Sequence, residues 1–205
     1  MNENLPCTLI TWEDVYSLCR QLVRQLRKEN FRIDVIVAIA RGGYVPGRLL
    51  SDMLGIHDLT SVKIEHYQGA YIQHEAFIKY PLNADINERN VLLLDDVCDS
   101  GDTFIVGVDH IRHCGKVNEM RTAALHLKTV SKYVPDFYVE TISEWRWLIY
   151  PWAVNEDLAS MIAKMPIDQS NVTLLQQEIR QRHDIDVTSQ QIEDALMLLK
   201  RAEKQ

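Results

Sequence analysis

The strongest chemical signal in the sequence is the segment VLLLDDVCDSGDT, residues 91–103. The run VLLLDD predicts a buried strand that brings the adjacent carboxylates Asp95 and Asp96 to the carboxyl edge of a parallel sheet. Ligands bind at the carboxyl edge of open parallel sheets. The small residues of the next loop let the backbone close around a phosphate, and the helix after it adds amides and partial positive charge. The segment therefore predicts an anion site beside acids that can hold hydroxyl groups or a hydrated cation, a combination that suits a sugar phosphate.

A second candidate follows the continuous β-branched run IDVIVAIA, which ends at Ala40 and predicts a strand buried on both faces. Arg41 precedes Gly42 and Gly43. The glycines permit close backbone approach, and the guanidinium can meet phosphate oxygens. Taken alone, each segment also has a purely structural interpretation, as a turn or as a strand, loop and capped helix. Neither a GxxxxGK[ST] loop nor a GxGxxG after the first strand is present.

Together, the two segments resemble the signature for phosphoribosyl pyrophosphate (PRPP) and the pyrophosphate loop of type I phosphoribosyltransferases. The likeness is greatest to the bacterial xanthine-guanine and archaeal hypoxanthine-guanine enzymes. It implies that Asp95 and Asp96 hold the ribose hydroxyls and Mg²⁺, and that Asp99 faces N7 of a purine as general base or acid. It also implies a strained or cis peptide at the Arg41 loop. The implied PRPP-binding residues are Arg41, Gly42, Gly43, Asp99, Ser100, Gly101, Asp102 and Thr103.

A third segment, residues 125–152, resembles the purine-recognition hood of the 6-oxopurine enzymes of this family. Lys128 ends a strand, and its ammonium donates but cannot accept, which favours a carbonyl over an amino group at position 6. Trp147 lies where the family places a ring that stacks on the base. We expect core packing for Trp145 and Trp152, and the alternative for Lys128 is a solvated lysine at a strand end. The implied purine-binding residues are Lys128, Trp147, Leu148 and Ile149.

The sequence departs from the family pattern at two positions. Ala153 stands where the bacterial xanthine-guanine enzymes have an aspartate after Pro-Trp, and the nearest acids are Glu156 and Asp157. Asp102 stands in the phosphate loop where many relatives have lysine or another non-acidic residue. Because a carboxylate does not help to bind phosphate, this loop must rely on backbone amides and hydroxyls.

The elements that must position these residues predict an α/β fold with a mostly parallel central sheet flanked by helices. This is also the fold that the resemblance implies, with a small hood. Thr11 and Asp14 form a capping box before an amphipathic helix. Buried strands then alternate with helices. We expect helices over residues 48–54 and 103–114, the second ended by Gly115.

We predict a phosphoribosyltransferase domain with its hood over residues 1–160 and a helical appendage over residues 161–205. In the appendage, Thr173–Gln176 and Thr188–Gln191 are capping-box patterns, each before an amphipathic helix. Residues 66–75 have no consistent period. They are the candidate lid, which would exclude water so that PRPP is not simply hydrolysed.

Composition excludes several classes of function. With a net charge of −7 and no basic face, the chain is not expected to bind nucleic acid. No apolar stretch approaches the length of a membrane span, and no basic-then-apolar leader is visible. The four cysteines form no CxxC pair, which predicts free thiols in a reducing cytoplasm rather than a zinc site or disulfides.

The interpretation with the most support is a Mg²⁺-dependent purine phosphoribosyltransferase of purine salvage. It would join hypoxanthine, guanine or xanthine to the ribose 5-phosphate of PRPP, as the homodimer or homotetramer common in the family. One alternative is a non-catalytic regulator that senses purines or PRPP on the same fold. Another is a phosphoribosyltransferase for adenine or a pyrimidine, against which Lys128 and Trp147 speak. The sequence does not rank the three 6-oxopurines.

Overall fold

The computed structural model describes residues 5–66 and 76–202. Of the predicted lid, residues 67–75 lie outside the described residues. Contacts within the chain define two compact units, one of residues 15–143 and the other of residues 1–14 with 144–205. Because the second unit joins both ends of the chain, this division does not follow the predicted boundary at residue 160.

The described residues form eight strands and six helices. The strands are β1 (Cys7–Leu9), β2 (Val35–Ala40), β3 (Leu59–His66), β4 (Ala76–Tyr80), β5 (Asn90–Cys98), β6 (Glu119–Lys128), β7 (Phe137–Ile142) and β8 (Trp147–Ile149). The helices are α1 (Trp12–Lys28), α2 (Tyr44–Leu54), α3 (Asp102–Cys114), α4 (Val154–Ile162), α5 (Val172–His183) and α6 (Ser189–Ala202).

A six-stranded sheet of order β4-β3-β2-β5-β6-β7 forms the centre of the larger unit. All its pairings are parallel except that of β3 with β4. The chain builds outward from β2 to one edge and from β5 to the other, so the strand order reverses between these two. Such a switch point leaves a crevice at the carboxyl ends of the two strands, where ligands bind in open α/β sheets. The predicted fold class is confirmed.

The core explains why the central strands are uniformly apolar. Every residue of β2 is buried, and β5 is buried from Val91 to Asp96. Phe104, Val108 and Ile111 of α3 pack into the same apolar cluster as the side chains of these strands. A strand in this position has no solvent-facing side, so its sequence does not alternate.

Two helix ends differ from the predictions. Helix α2 begins at Tyr44 rather than Arg48, because Pro46 falls in the first turn, where its missing N–H has no helical partner to lose. Gly115 does follow α3, but its φ of 175° is extended backbone and not the left-handed cap. A Cβ there would lie 2.8 Å from Asn87 Oδ1, so close packing accounts for the glycine.

At the starts of α1, α5 and α6, local hydrogen bonds show which of the predicted capping boxes form. Thr11 N–H donates to Asp14 Oδ2 at 2.9 Å, and Asp14 N–H donates back to Thr11 Oγ1 at 3.1 Å, which confirms the first capping box. Thr188 and Gln191 exchange the same pair of bonds at 2.8 and 3.2 Å before α6. The prediction for Thr173 is wrong, since Asn171 caps α5 by accepting Leu174 N–H at 3.0 Å.

The smaller unit contains elements that the sequence did not predict. Strands β1 and β8 pair in parallel as a two-stranded sheet, with Thr8 opposite Leu148. Three-residue strands are too short to show a period. The sequence analysis also did not predict helix α4, whose buried residues pack with those of α5 and α6 in one apolar cluster.

All four cysteines are free thiols, as predicted, and only Cys114 is exposed. Among the described residues, no helix combines the length and the apolar character needed to cross a membrane.

Candidate active site

Asp95 and Asp96 lie inside β5, as predicted, and the strand continues past them to Cys98. They are 7% and 8% exposed. Asp96 N–H donates to Asp95 Oδ1 at 2.9 Å, and the Gly43 amide also bonds to the Asp95 carboxylate. Burial, and then the charge of Asp96, hold the pKa of Asp95 well above its ordinary value. Two adjacent buried acids therefore gain from a cation or from hydroxyl donors that offset their charge.

The loop after β2 passes directly against these acids. The peptide bond between Ala40 and Arg41 is cis, as the resemblance implied. A Cβ on Gly42 would lie 2.6 Å from the carboxylate carbon of Asp96, and one on Gly43 would lie 2.5 Å from the carbonyl oxygen of Leu94. Only glycine fits at either position. Because these two residues have no side chains, the Arg41 loop can lie directly against the acid pair in one site.

Arg41 also borders a cleft of about 630 Å³ next to the β3–β4 hairpin. Within it, the ammonium of Lys63 lies 2.9 Å from a carboxylate oxygen of Glu65. Beside the loop for which pyrophosphate binding is predicted, the cleft therefore carries Arg41 and a lysine that is already paired with an acid. The residues that line the cleft are Ala40, Arg41, Lys63, Ile64, Glu65, His66 and Phe77.

The predicted phosphate loop connects β5 to α3 through a left-handed glycine. Gly101 has a φ of +88°, and a Cβ there would lie 2.6 Å from the backbone nitrogen of Tyr133 and 2.7 Å from Ser131 Oγ. Ser100 Oγ donates to Asp102 Oδ2 at 2.9 Å. Because the first amides of α3 have no partner within the helix, the loop ends in backbone N–H donors of the kind that bind phosphate.

Lys128 and Asp99 form an ion pair across two segments that the sequence analysis treated separately. Lys128 Nζ donates to Asp99 Oδ2 at 2.7 Å, with side chains 3% and 37% exposed. The alternative of a solvated surface lysine is therefore wrong. A buried ammonium needs an acidic partner, and the end of β6 supplies Lys128 beside the loop that follows β5.

The other residues of the predicted purine site lie in β8, in the smaller unit. Trp147 is 37% exposed, whereas Leu148 and Ile149 are 8% and 0% exposed. The carbonyl of Ile149 accepts the N–H of Ile10 at 2.9 Å. The side chains of Leu148 and Ile149 are thus part of the packing of this unit, and their contact with a purine remains a prediction.

The two neighbouring tryptophans differ from one another. Trp145 is 42% exposed, so the prediction of core packing is wrong for it. Trp152 stacks on Tyr150 with ring centroids 4.9 Å apart and lies 5.9 Å from the ring of Trp12. Trp152 is half-buried in this aromatic cluster rather than fully buried, so the prediction of core packing is only partly met.

One residue without a predicted role, Asp157, holds Trp147. The indole N–H of Trp147 donates to the Asp157 carboxylate. Burial raises the pKa of Asp157 to about 6, with a smaller contribution from Glu156 and against the effect of the indole bond. Ala153 removes the acid that relatives have after Pro-Trp, and Asp157 stands one helical turn later in α4. The only sign of this role in the sequence was the position of Asp157 close after the Pro-Trp pair.

The turn after β6 is a second feature that the sequence analysis missed. Lys132 N–H donates to the carbonyl of Ser100 at 2.9 Å. The ring of Tyr133 stacks on Phe104 at 5.4 Å, and its hydroxyl donates to Thr122 Oγ1 at 3.2 Å. The turn thereby braces the phosphate loop from outside. Nothing in the local sequence of either segment indicated that they touch.

The acid pair fits a metal that shares its ligands with a substrate. Among residues 5–66 and 76–202, no group of three or more His, Cys, Asp or Glu side chains could hold a metal ion alone. Magnesium usually takes one or two carboxylates together with substrate phosphates and water. Asp95 and Asp96 match that requirement. They lie at the crevice, and among the described residues no third acidic side chain is placed to complete an all-protein metal site with them.

Comparison with known proteins identifies the family of this chain. The family described as phosphoribosyl transferase domain matches residues 9–157. The chain is 30% identical over 149 residues to the xanthine-guanine phosphoribosyltransferase of Vibrio vulnificus (strain YJ016), a match that covers 70% of this chain and 87% of the relative. It is 29% identical over 144 residues to that of Gluconobacter oxydans (strain 621H), covering 70% and 82%.

Solved structures give the same result. A purine phosphoribosyltransferase from Pyrococcus horikoshii matches with a TM-score of 0.62 and 31% identity, covering 71% of this chain and 92% of the other. The xanthine-guanine-hypoxanthine phosphoribosyltransferase of Helicobacter pylori matches with a TM-score of 0.60 and 23% identity, covering 74% and 97%. The second match supports the fold.

Replacing Asp157 with Asn should remove a pH-dependent loss of stability. The folded-state pKa of about 6 lies above the ordinary value of 3.8. Between these values the unfolded chain ionises first, so the free energy of unfolding of the wild type falls as pH rises through this window. Asp157→Asn keeps an acceptor for the Trp147 indole without a charge to bury. It should be the more stable protein above pH 6, by about 1–3 kcal/mol.

Urea unfolding of both proteins at several values between pH 4 and pH 8 measures the difference. Glu29→Gln is the matched control, because it removes an exposed acid of the larger unit. Parallel stability curves for the wild type and Asp157→Asn would show that Asp157 is ordinarily solvated and does not anchor Trp147 as described.

Proposed function

This chain belongs to the phosphoribosyl transferase family, and on that premise we propose that it acts in purine salvage. It joins a 6-oxopurine (hypoxanthine, guanine or xanthine) to the ribose 5-phosphate of PRPP and releases pyrophosphate. The observation that carries the choice of base is the ion pair of Lys128 and Asp99, 2.7 Å apart.

The chemistry of this pair suits one edge of a 6-oxopurine. O6 and N7 are adjacent there. O6 is an acceptor, and N7 is an acceptor when the proton of the neutral base is on N9 and a donor when that proton is on N7. An ammonium donates to O6, while a carboxylate beside it accepts from N7 when that nitrogen carries a proton. Adenine presents an amino donor at position 6 and would face the Lys128 donor unfavourably. The pair therefore favours hypoxanthine, guanine and xanthine over adenine.

PRPP occupies the rest of the crevice in this proposal. Arg41 and the amide of Gly42 bind the pyrophosphate. Gly43, whose amide already donates to the Ile39 carbonyl at 2.9 Å, contributes the unhindered backbone that lets the ligand approach. The loop from Ser100 to Thr103 binds the 5-phosphate, chiefly through amides at the start of α3. Asp95 and Asp96 receive the ribose 2- and 3-hydroxyls, directly or through water.

The reaction forms a bond between N9 of the purine and C1 of the ribose and breaks the bond from C1 to the pyrophosphate oxygen. Positive charge develops on the ribose in an oxocarbenium-like transition state, and the carboxylates of Asp95 and Asp96 oppose it electrostatically. Asp99 takes or returns the proton at N7, so that N9 can supply its electron pair. Asp99 is thus the proposed general base or acid.

The remaining parts of the proposal rest on the family resemblance. Asp95 and Asp96 would hold Mg²⁺ together with substrate oxygens, and the ion would supply charge neutralisation for the leaving pyrophosphate. Trp147 would stack on the base, with Leu148 and Ile149 beside it. The enzyme would work in the cytoplasm as a homodimer or homotetramer.

A base-by-base kinetic screen tests the function. With PRPP and Mg²⁺, the wild type should convert at least one of hypoxanthine, guanine and xanthine to its nucleoside monophosphate, and adenine and pyrimidines should react far more slowly. Ultraviolet difference spectra follow each reaction. Binding of PRPP or a purine without any turnover would instead support a non-catalytic sensor. Preferred use of adenine or a pyrimidine would refute the assignment of the base.

Substitutions of the ion pair should separate base binding from catalysis. Lys128→Ala should raise the KM for hypoxanthine or guanine roughly ten- to hundred-fold, since losing a hydrogen bond to a charged donor costs about 1.5–3 kcal/mol. Lys128→Gln should narrow the preference for 6-oxo over 6-amino purines, because an amide both donates and accepts.

Asp99→Asn should lower turnover by roughly 10²–10⁴ while PRPP affinity is largely kept.

Lys116→Ala is the control for these variants, because Lys116 is exposed beyond the far end of α3. Kinetic constants for hypoxanthine, guanine and adenine decide the outcome. If the KM values for the bases do not change in either Lys128 variant, the purine pocket lies elsewhere. Turnover of Asp99→Asn within a few-fold of wild type would remove Asp99 from proton transfer.

Activity should require a divalent cation. The acid pair and a pyrophosphate both carry negative charge, and without a cation they repel one another at short range. EDTA should therefore abolish product formation, and excess Mg²⁺ should restore it. Full activity in a metal-free assay would contradict this expectation.

A further inference from the structure

The phosphate loop contains a charge that its proposed ligand does not favour. Asp102 is the first residue of α3, at the end where a helix attracts anions. A carboxylate at this position repels a phosphate monoester bound to the same amides. Its two oxygens are, however, engaged: Oδ2 accepts from Ser100 Oγ at 2.9 Å, and Oδ1 lies 3.5 Å from Lys132 Nζ.

The backbone of Lys132 is fixed against that loop. Its N–H donates to the Ser100 carbonyl at 2.9 Å. The residues on either side, Ser131 and Tyr133, leave no room for a side chain at Gly101. The Lys132 side chain itself is 72% exposed, and exposed ion pairs contribute little to folding. Lys132 can therefore be replaced without loss of the fold, while its position beside the loop is set by main-chain contacts.

We propose that Lys132 is a positioning and specificity residue for the 5-phosphate of PRPP. Its ammonium neutralises Asp102 and holds that carboxylate toward Ser100, so that the start of α3 stays attractive to a phosphate monoester. The inference deepens the proposed function and rests on its assignment of this loop. It differs from a direct phosphate contact in one respect: the need for Lys132 disappears when the charge of Asp102 is removed.

The test is a double-mutant cycle of Lys132→Met and Asp102→Asn. Lys132→Met should raise the KM for PRPP about tenfold, or about 1.4 kcal/mol, with kcat and the KM for the base nearly unchanged. Asp102→Asn alone should bind PRPP at least as well as the wild type. The double variant should return to within about threefold of the wild-type KM. Lys116→Met is the matched control, with the same change of charge at the far end of α3.

Three results would overturn the inference. The KM for PRPP could stay unchanged in Lys132→Met, the double variant could remain as weak as the single one, or Lys116→Met could have an equal effect. If the wild type shows no turnover with any base, the proposed function fails by itself. Calorimetric binding of ribose 5-phosphate to the same four proteins and the wild type then decides about Lys132, since the same pattern should appear in Kd. Absence of ribose 5-phosphate binding, or an equal Kd in Lys132→Met, would overturn it there too.

Discussion

The pairing of β2 with β5 at the centre of the sheet is the constraint on which the site depends. In-register parallel strands, with Val35 opposite Val91, bring their carboxyl ends to one edge. That edge then carries the guanidinium of Arg41 from one strand and the carboxylates of β5 from the other. The backbone of the Arg41 loop can pack directly against β5 only because Gly42 and Gly43 have no Cβ. Burial at this edge, and then the charge of Asp96, also hold the pKa of Asp95 above its ordinary value.

A second layer of contacts builds outward from this edge. The end of β6 provides Lys128 for Asp99, and the turn after it provides Lys132 for Asp102. Asp99 in the loop after β5 and Asp102 at the start of α3 thus both have lysine partners, one at the end of β6 and one in the turn after it. The buried pair joins two groups suited to the edge of a purine, whereas the exposed pair adjusts charge at the end of α3. Under the proposed function, the first pair faces the purine and the second faces the other substrate, PRPP.

Much of this could be predicted from sequence because its signals are local. Continuous apolar runs identified β2 and β5, and the capping box at Thr11 identified the start of α1. The sequence could not reveal the contacts between segments distant in the chain. The Lys128–Asp99 pair joins residues 29 positions apart, and burial of an ion pair leaves no periodic pattern. The short strands β1 and β8 and the hold of Asp157 on Trp147 were missed for the same reason, since only tertiary packing defines them.

The fit of Gly101 against the turn after β6 has a consequence for how this protein can be altered. With the backbone of Tyr133 and the hydroxyl of Ser131 in contact with that glycine, the phosphate loop and the turn form a single module in two pieces of chain. A loop transplanted from a relative would bring side chains matched to another turn. Chimeras and recombination libraries should therefore exchange both segments together and keep their breakpoints outside residues 99–136.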